Sequence, residues 1–173
     1  MLDNLLVIDD NKDDLNLVKH YLKKQFPDST IASAGSVSEY HEKLNWMNPD
    51  VIICDYQLPD GTGLDILIHN KANQNTPFIF LTGILNDEEK VASAVLRGAA
   101  AYVLKENVSI IGSVVTTILE DRSKAESIAQ KMIFIKDRIE YQCNKALELL
   151  SQGKDFKDVS ACIESIKAEV SVV

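Results

Sequence analysis

The sequence of 173 residues predicts a three-layer α/β sandwich, in which a mostly parallel sheet carries helices on both faces. Two observations support this prediction. Over residues 1–122, five short apolar runs alternate with five amphipathic segments, the pattern of repeated strand–helix units. The apolar runs are continuous, as in strands that are buried on both faces of a parallel sheet. Right-handed crossovers then connect the strands.

The five strands are predicted where the apolar runs are too short for helices. They lie at residues 5–8, 30–32, 51–54, 78–81 and 101–104. Because the second run is the least apolar, we expect it at an edge of the sheet. The helices are marked by apolar residues three and four positions apart. These are Leu15, Val18 and Leu22; Val37, Tyr40 and Leu44; Leu64, Leu67 and Ile68; Val91, Ala94 and Val95; and Ile111, Val114, Val115 and Ile118.

The composition excludes several classes of protein. At 46% hydrophobic and 25% charged residues it is that of an ordinary globular domain, and no apolar run is long enough to span a membrane. The first residues lack the basic region of a secretory signal. The cysteines Cys54, Cys143 and Cys162 have no metal-ligand spacing, so we expect reduced thiols in the cytoplasm, with Cys54 in the core.

The negative charge is unevenly distributed. Acidic residues exceed basic ones by eight over residues 1–122, whereas residues 123–173 carry eight of each. An acidic body without a basic stripe disfavours nonspecific binding to nucleic acid. The histidines His20, His41 and His69 fall on three different predicted helices, so we expect them to be solvated and not clustered.

Polar residues follow four of the five predicted strands. Asp9 and Asp10 follow the first strand, Asp55 the third, Thr82 the fourth and Lys105 the fifth. Taken singly, each has a simpler interpretation as a helix cap, a turn residue or a surface lysine. Together they predict a site, because ligands bind beyond the carboxyl ends of parallel strands. Clustered carboxylates need compensating charge, and oxygen ligands suit Mg²⁺.

Four segments resemble the receiver domain of two-component response regulators. They are VIDDN at 7–11, CDYQLPDGTGL at 54–64, FLTG at 80–83 and GAAAYVLK at 98–105. The resemblance covers residues 3–122 and implies a flavodoxin-like (βα)5 fold with the parallel sheet order 2-1-3-4-5. It divides the chain into a receiver domain at 1–122 and an extension at 123–173 that resembles no family as closely.

The resemblance also implies a phosphoacceptor and a metal site. Asp55 is the implied phosphoacceptor, which takes a phosphoryl group from a histidine kinase or a histidine phosphotransfer protein. Mg²⁺ is bound directly by Asp10 and Asp55, with help from the backbone carbonyl of Gln57, and Asp9 acts largely through water. The implied role is switching of protein–protein interactions, in which the chain takes part in its own phosphorylation without being an enzyme for another substrate.

Three further residues have roles implied by the same resemblance. Lys105 neutralises phosphoryl charge, Thr82 hydrogen-bonds a phosphoryl oxygen, and Tyr102 changes rotamer as Thr82 moves. The sequence departs from the family at two positions. Glu106 stands where proline in a cis peptide is frequent, which disfavours a cis bond here, and Gly83 stands where alanine is usual, which opens the phosphoryl site.

Residues 123–173 predict a helical hairpin. A coiled-coil-like row is broken at 152–155, and a second row follows it. The first row consists of Ile128, Met132, Ile135, Ile139, Gln142, Ala146 and Leu149, and the second of Val159, Ile163, Ile166 and Val170. Because the second helix is shorter, part of the first row stays uncovered, which favours a homodimer. Packing against the receiver or against a helix of another protein are the alternatives.

Two other functions are alternatives to this interpretation. The first is a receiver-coupled nucleic-acid-binding regulator, since the extension faintly resembles a helical antiterminator module; its zero net charge argues against this. The second is a phosphatase of the haloacid dehalogenase type. That class requires Asp-x-Asp after the first strand, whereas Asp9 and Asp10 are adjacent, so it ranks last.

Overall fold

A computed structural model describes residues 3–83, 94–153 and 156–170 of the chain. The central sheet contains five parallel strands, and a short antiparallel hairpin lies outside it. The sheet strands are β1 (Asn4–Ile8), β2 (Thr30–Ala34), β3 (Val51–Cys54), β6 (Phe78–Thr82) and β7 (Ala101–Leu104); the hairpin strands are β4 (Gln57–Leu58) and β5 (Gly61–Thr62). The order β2-β1-β3-β6-β7 is the predicted order 2-1-3-4-5 without the hairpin, so the predicted fold is confirmed.

Five helices are complete in the described residues. They are α1 (Lys12–Gln25), α2 (Val37–Leu44), α3 (Gly63–Asn73), α4 (Ile111–Ser151) and α5 (Phe156–Val170). A 3₁₀ helix at Lys105–Ile110 connects β7 to α4. Of the predicted fourth helix, residues 94–96 are helical and Val91 lies outside the described residues. None of the described helices is both long and apolar enough to cross a membrane.

Each face of the sheet buries its own apolar cluster. Alternate residues of β1 serve the two faces, with Leu5 and Val7 on one side and Leu6 and Ile8 on the other, and all four are fully buried. The first cluster is completed by α1 and α4, and the second by α2 and α3. Burial on both faces explains the continuous apolar runs. The exception is β2, which is partly exposed and lies at the sheet edge, as predicted.

Two helices begin next to the carboxyl ends of strands because side chains cap them. The Asn11 side chain accepts hydrogen bonds from the backbone N–H groups of Asp13 and Asp14, so α1 begins directly after Asp9 and Asp10. At α3, Thr62 and Asp65 form a reciprocal capping box. These caps fix the backbone that leads away from the edge of the sheet.

The chain divides into two compact units, at Leu119 and Glu120, a position within α4. In the second unit, α4 ends at a turn in which Gly153 adopts a left-handed φ of 69°, as glycine commonly does after a helix. A shallow cavity is lined by Gln142, Lys145 and Leu149 of α4 and by Lys157, Ala161, Cys162 and Ser165 of α5. The two helices therefore face each other, and the predicted hairpin is confirmed.

The second row of the hairpin differs from the prediction. Val159 and Cys162 are buried and Ile166 is half-buried, whereas Ile163 is 42% exposed. The side chain of Val170 lies outside the described part of the chain. The buried face of α5 therefore runs through Cys162 in place of Ile163, because a three-residue step keeps the row on the side that faces α4.

The prediction of unclustered histidines is wrong for two of them. The rings of His41 and His69 meet edge to face, with centroids 4.6 Å apart, and a hydrogen bond of 3.1 Å joins His69 Nδ1 to the Tyr40 hydroxyl. Burial, and then the neighbouring His41, lower the pKa of His69, while burial raises the pKa of Tyr40 to about 12. The contact arises because α2 and α3 pack side by side on the same face of the sheet.

Candidate functional site

The carboxyl ends of β1, β3 and β7 bring four predicted residues together at one edge of the sheet. Asp9 follows β1 and is only 2% exposed, whereas Asp10 beside it is exposed. Asp55 follows β3 and is partly exposed, and Lys105 follows β7. Parallel strands end on the same side of a sheet, which is why residues so far apart in sequence meet here.

Lys105 lies at the centre of this site. Its Nζ is 2.6 Å from Asp9 Oδ2, 2.7 Å from Asp14 Oδ2 and 2.9 Å from Asp55 Oδ2. Burial by itself lowers the pKa of Lys105, but hydrogen bonds to Asp14, Asp55 and Asp9 outweigh it and raise the pKa above its ordinary value. The lysine is therefore a fixed positive charge shared by three carboxylates.

Backbone N–H groups hold the second oxygens of two of these carboxylates. Asn11 N–H donates to Asp9 Oδ1 at 2.9 Å, and Tyr56 N–H donates to Asp55 Oδ1 at 2.6 Å. Burial raises the pKa of Asp9, and the hydrogen bonds from Lys105 and Asn11 lower it in part. Both oxygens of Asp9 thus have hydrogen-bonding partners within the protein, whereas Asp10 is an exposed residue.

Three carboxylates at this edge fit a hard divalent cation. Asp9, Asp10 and Asp55 each offer an oxygen, and these oxygens lie within 4.8 Å of one another. The donors are all oxygen atoms, which Mg²⁺ and Ca²⁺ prefer. Because Lys105 supplies one positive charge to a larger number of carboxylates, the donor set fits a divalent cation in charge as well as in ligand type.

Asp14 is a member of the site that the sequence analysis missed. It lies in the first turn of α1, where an acidic residue is explained by its favourable interaction with the helix dipole. Its contact with Lys105 spans 91 positions of sequence and depends on how α1 packs beside the 3₁₀ helix. One signal for Asp14 is present in the sequence. Asp14 lies four residues after Asp10, which directly follows Asp9, so it is close in sequence to the predicted site.

The remaining predicted residues surround this centre. Thr82 is the last residue of β6 and is 2% exposed, and Tyr102 is half-buried in β7 with its ring 6.4 Å from the ring of Phe80. Gln57 lies in β4 with an exposed side chain. The described peptide bonds include Lys105–Glu106 and are all trans, in agreement with the expectation from the sequence.

Only glycine fits at position 63, beside Asp55. A Cβ atom at Gly63 would collide with the Asp55 carbonyl oxygen and would lie 2.8 Å from Phe80 Cε1 and 3.1 Å from Cys54 Sγ. The start of α3 therefore packs directly against the backbone of Asp55. At Gly83, by contrast, a Cβ would meet, among the described residues, only Lys105 Cδ, at 3.9 Å, which leaves room there for the alanine that is usual in the family.

A parallel α/β sandwich with an acidic site at the carboxyl ends of its strands is typical of one class of signalling domain. The comparison with known families identifies the same class. Residues 5–110 match the family model of the response regulator receiver domain, and the chain belongs to that family.

Two regulatory proteins are similar to part of this chain. The nitrate/nitrite response regulator NarL of Escherichia coli K12 is 31% identical over 103 residues, which are 59% of this chain and 47% of NarL. The methanogenesis regulatory protein FilR1 of Methanothrix harundinacea is 30% identical over 116 residues, which are 62% of this chain and 25% of FilR1. The chain thus spans less than half the length of these relatives.

A solved structure agrees with the fold. The response regulator DrrB of Thermotoga maritima superposes with a TM-score of 0.60 at 28% identity, over 70% of this chain and 54% of DrrB. Residues beyond 110 lie outside the family match.

Proposed function

We propose that this protein is a phosphorylation-switched response regulator, in which Asp55 accepts a phosphoryl group from a histidine kinase or a histidine phosphotransfer protein. The observation that carries the proposal is the Lys105 ammonium, 2.9 Å from Asp55 Oδ2, beside carboxylate oxygens that converge within 4.8 Å. Phosphoryl transfer needs positioning and charge neutralisation, and this edge of the sheet offers both.

The transfer itself requires one nucleophile. An Asp55 oxygen forms a P–O bond while the P–N bond to the donor histidine breaks, and the bonding electron pair returns to the imidazole. The Tyr56 N–H group orients Asp55 Oδ1, and Lys105 contacts Oδ2. The lysine thus lies where negative charge on the incoming phosphoryl oxygens needs to be balanced.

The residues that hold Mg²⁺ are proposed as Asp10 and Asp55, with the Gln57 backbone carbonyl. Asp9 is proposed to act largely through water, in keeping with its burial, since it is only 2% exposed whereas Asp55 is partly exposed. When bound, the cation neutralises charge on the phosphoryl oxygens.

Switching is proposed to start at Thr82 and Tyr102. Thr82 is buried at the end of β6 and hydrogen-bonds a phosphoryl oxygen, and Tyr102 follows its movement from the neighbouring strand β7. The result is a changed surface for a downstream protein, not the turnover of another substrate. The proposed location is the cytoplasm, consistent with three free cysteines.

Intact-mass measurement tests the phosphoacceptor. Incubation with acetyl phosphate and Mg²⁺ should add one phosphoryl group, and the addition should disappear in Asp55→Asn and when the metal is chelated. Asp28→Asn, at an exposed aspartate in the turn before β2, is the matched control and should be labelled like the parent. Labelling that persists in Asp55→Asn would place the acceptor elsewhere.

We also propose that residues 123–173 hold the chain as a homodimer. On α4, Ile128 is 61% and Met132 53% exposed, whereas Ile135 and Ile139 are half-buried. This is the division expected if the shorter α5 covers only the second part of the row, and exposed apolar area of this kind favours association. Light scattering of the full chain at tens of micromolar should give the mass of a dimer, and the mass of a monomer would contradict the proposal.

A basic row on α4 supports the alternative of a nucleic-acid-binding regulator. The zero net charge of residues 123–173 argues against this function, but one continuous helix places four exposed basic residues at seven-residue intervals: Lys124, Lys131, Arg138 and Lys145. Phosphate contacts need cations, and these four lie along one side of the helix. Salt-dependent retention of RNA or DNA that is weaker for Lys131→Glu would favour this function. If the protein is not retained at any salt concentration, this function is excluded.

A further inference from the structure

A second heptad row runs along α4. Its members follow each other at intervals of four and three residues, so they lie along one side of the helix. We call it the outer row; it consists of Ala129, Ile133, Lys136, Glu140, Cys143, Leu147 and Leu150. Every member is exposed, with Ile133 at 60%, Leu147 at 64% and Leu150 at 57%. Large apolar side chains at coiled-coil spacing are typical of a helix seam.

The outer row is distinct from the row that faces α5. We call the first row of the hairpin, from Ile128 to Leu149, the inner row. Each member of the outer row lies one position after a member of the inner row, so the two rows are about 100° apart around the helix. The inner row is half-buried at Ile135, Ile139, Gln142, Ala146 and Leu149, on the side where α5 packs. Within the described residues, α5 leaves the outer row open along its whole length.

The charges in the outer row determine what can cover it. Lys136 and Glu140 occupy its middle, between Ala129 and Ile133 on one side and Leu147 and Leu150 on the other. A parallel second copy would place Lys136 against Lys136 and Glu140 against Glu140, and like charges that face each other across a seam oppose association. An antiparallel copy places each lysine opposite a glutamate. The row is therefore complementary to itself in the antiparallel direction.

We infer that a second copy of this chain docks on the outer row in the antiparallel direction, with Lys136 of each copy opposite Glu140 of the other. The same register places Ile133 opposite Cys143 and Ala129 opposite Leu147, so the two layers next to the charged pairs are apolar, and Leu150 falls opposite Glu126 at each end. This inference rests on the proposed self-association of residues 123–173. It places that association on the outer row, whose Ala129 and Ile133 directly follow the exposed Ile128 and Met132 of the first row, and it names the direction.

Charge reversal tests the face in the full-length protein. Lys136→Glu places two glutamates against each other in both central layers, so light scattering should show loss of the dimer. The double variant Lys136→Glu/Glu140→Lys restores opposite charges and should restore the dimer. Lys131→Glu, an equally exposed lysine outside the outer row, is the matched control and should remain a dimer. A dimer that persists in Lys136→Glu would overturn the inference.

Disulfide crosslinking tests the direction. In the antiparallel register Ile133→Cys lies opposite the native Cys143, so oxidation should give a covalent dimer, whereas the wild type and Ile133→Cys/Cys143→Ala should not crosslink. A parallel seam predicts the opposite, namely Cys143–Cys143 crosslinks in the wild type. That result would overturn the direction while leaving self-association in place. A monomeric wild-type protein would overturn both, and phosphorylation of Asp55 is measured independently of either.

Discussion

The Asp14 carboxylate lies 2.7 Å from Lys105 Nζ, on the same ammonium that contacts Asp55 at 2.9 Å. Lys105 is thus divided between the proposed phosphoacceptor and a carboxylate of helix α1. A phosphoryl group on Asp55 adds negative charge beside Asp14, so Asp14 competes for the lysine before transfer and repels the group after it. This contact ties the start of α1 to the chemistry at the end of β3.

Asp14→Asn should therefore speed the phosphorylation of Asp55. The side chain of Asp14 is 30% exposed, so solvent screens its charge, and we expect about a two- to fivefold faster labelling by acetyl phosphate, in line with the ~0.5–1 kcal/mol of a partly exposed ion pair. A time course of intact mass measures the rate. Asp13→Asn changes the neighbouring exposed aspartate in the same helical turn and should label at the parental rate. Equal phosphorylation rates in Asp14→Asn and Asp13→Asn would show that Asp14 does not influence the reaction.

Gly63→Ala should destabilise the protein and disturb the position of Asp55. The added methyl group collides with the backbone carbonyl oxygen of Asp55 and with the ring of Phe80, which is fully buried. Overpacking of this kind costs about 1–3 kcal/mol of unfolding free energy. Urea denaturation measures the loss. Gly83→Ala is the matched control and should cost little, since its methyl group lies 3.9 Å from Lys105 Cδ and meets no other atom in the part of the chain that the structure describes.

The sequence predicted those parts of the molecule that depend on local pattern. Each sheet strand was marked by an apolar run, and the polar residues that follow the runs, such as Asp9, Asp55 and Lys105, were identified because parallel strands end at one edge. Asp14 was missed because an acid in the first turn of a helix already has a sufficient local explanation.

The contact between His41 and His69 could not be read from the sequence for a related reason. Each histidine is unremarkable on its own helix, and their meeting depends on the packing of α2 against α3. Helical periodicity gives the apolar face of each helix, but it does not fix which residues of two neighbouring helices touch.

Lys105→Ala should destabilise the metal-free protein and slow phosphorylation. Without the ammonium, the buried Asp9 carboxylate and its neighbours Asp14 and Asp55 repel one another. We expect a loss of about 1–3 kcal/mol of unfolding free energy in the presence of a chelator, which excess Mg²⁺ should reduce because it neutralises the same carboxylates. Lys12→Ala, at an exposed lysine where α1 begins, should show neither effect. Equal urea midpoints for Lys105→Ala and the parent in chelator would contradict the charge-balancing role.

Asp60 should stabilise the protein at neutral pH and lose this effect in acid. Hydrogen bonds from the Ser38 hydroxyl and from the N–H groups of Ser38 and Val37 lower the pKa of Asp60. A lowered folded-state pKa gives stability that is complete above the ordinary pKa of 3.8 and disappears as the pH falls through the folded value. Asp60→Asn should thus lower the urea midpoint at pH 7, and the gap to the parent should narrow as the pH falls below the ordinary pKa of 3.8. Asp28→Asn should show no comparable gap at neutral pH.

Ending the chain after Arg122 should leave a folded receiver that is monomeric and still phosphorylated on Asp55. Among the described residues, both apolar clusters of the sheet draw their members from positions up to Leu119. Removing residues 123–173 therefore takes none of these side chains from the core, while it removes every residue of the proposed dimer face. Circular dichroism, light scattering and intact mass after acetyl phosphate measure the three outcomes on one sample. If the truncated protein is still a dimer, the dimer interface lies in residues 1–122. If it does not fold, the receiver requires residues after Arg122 for its stability.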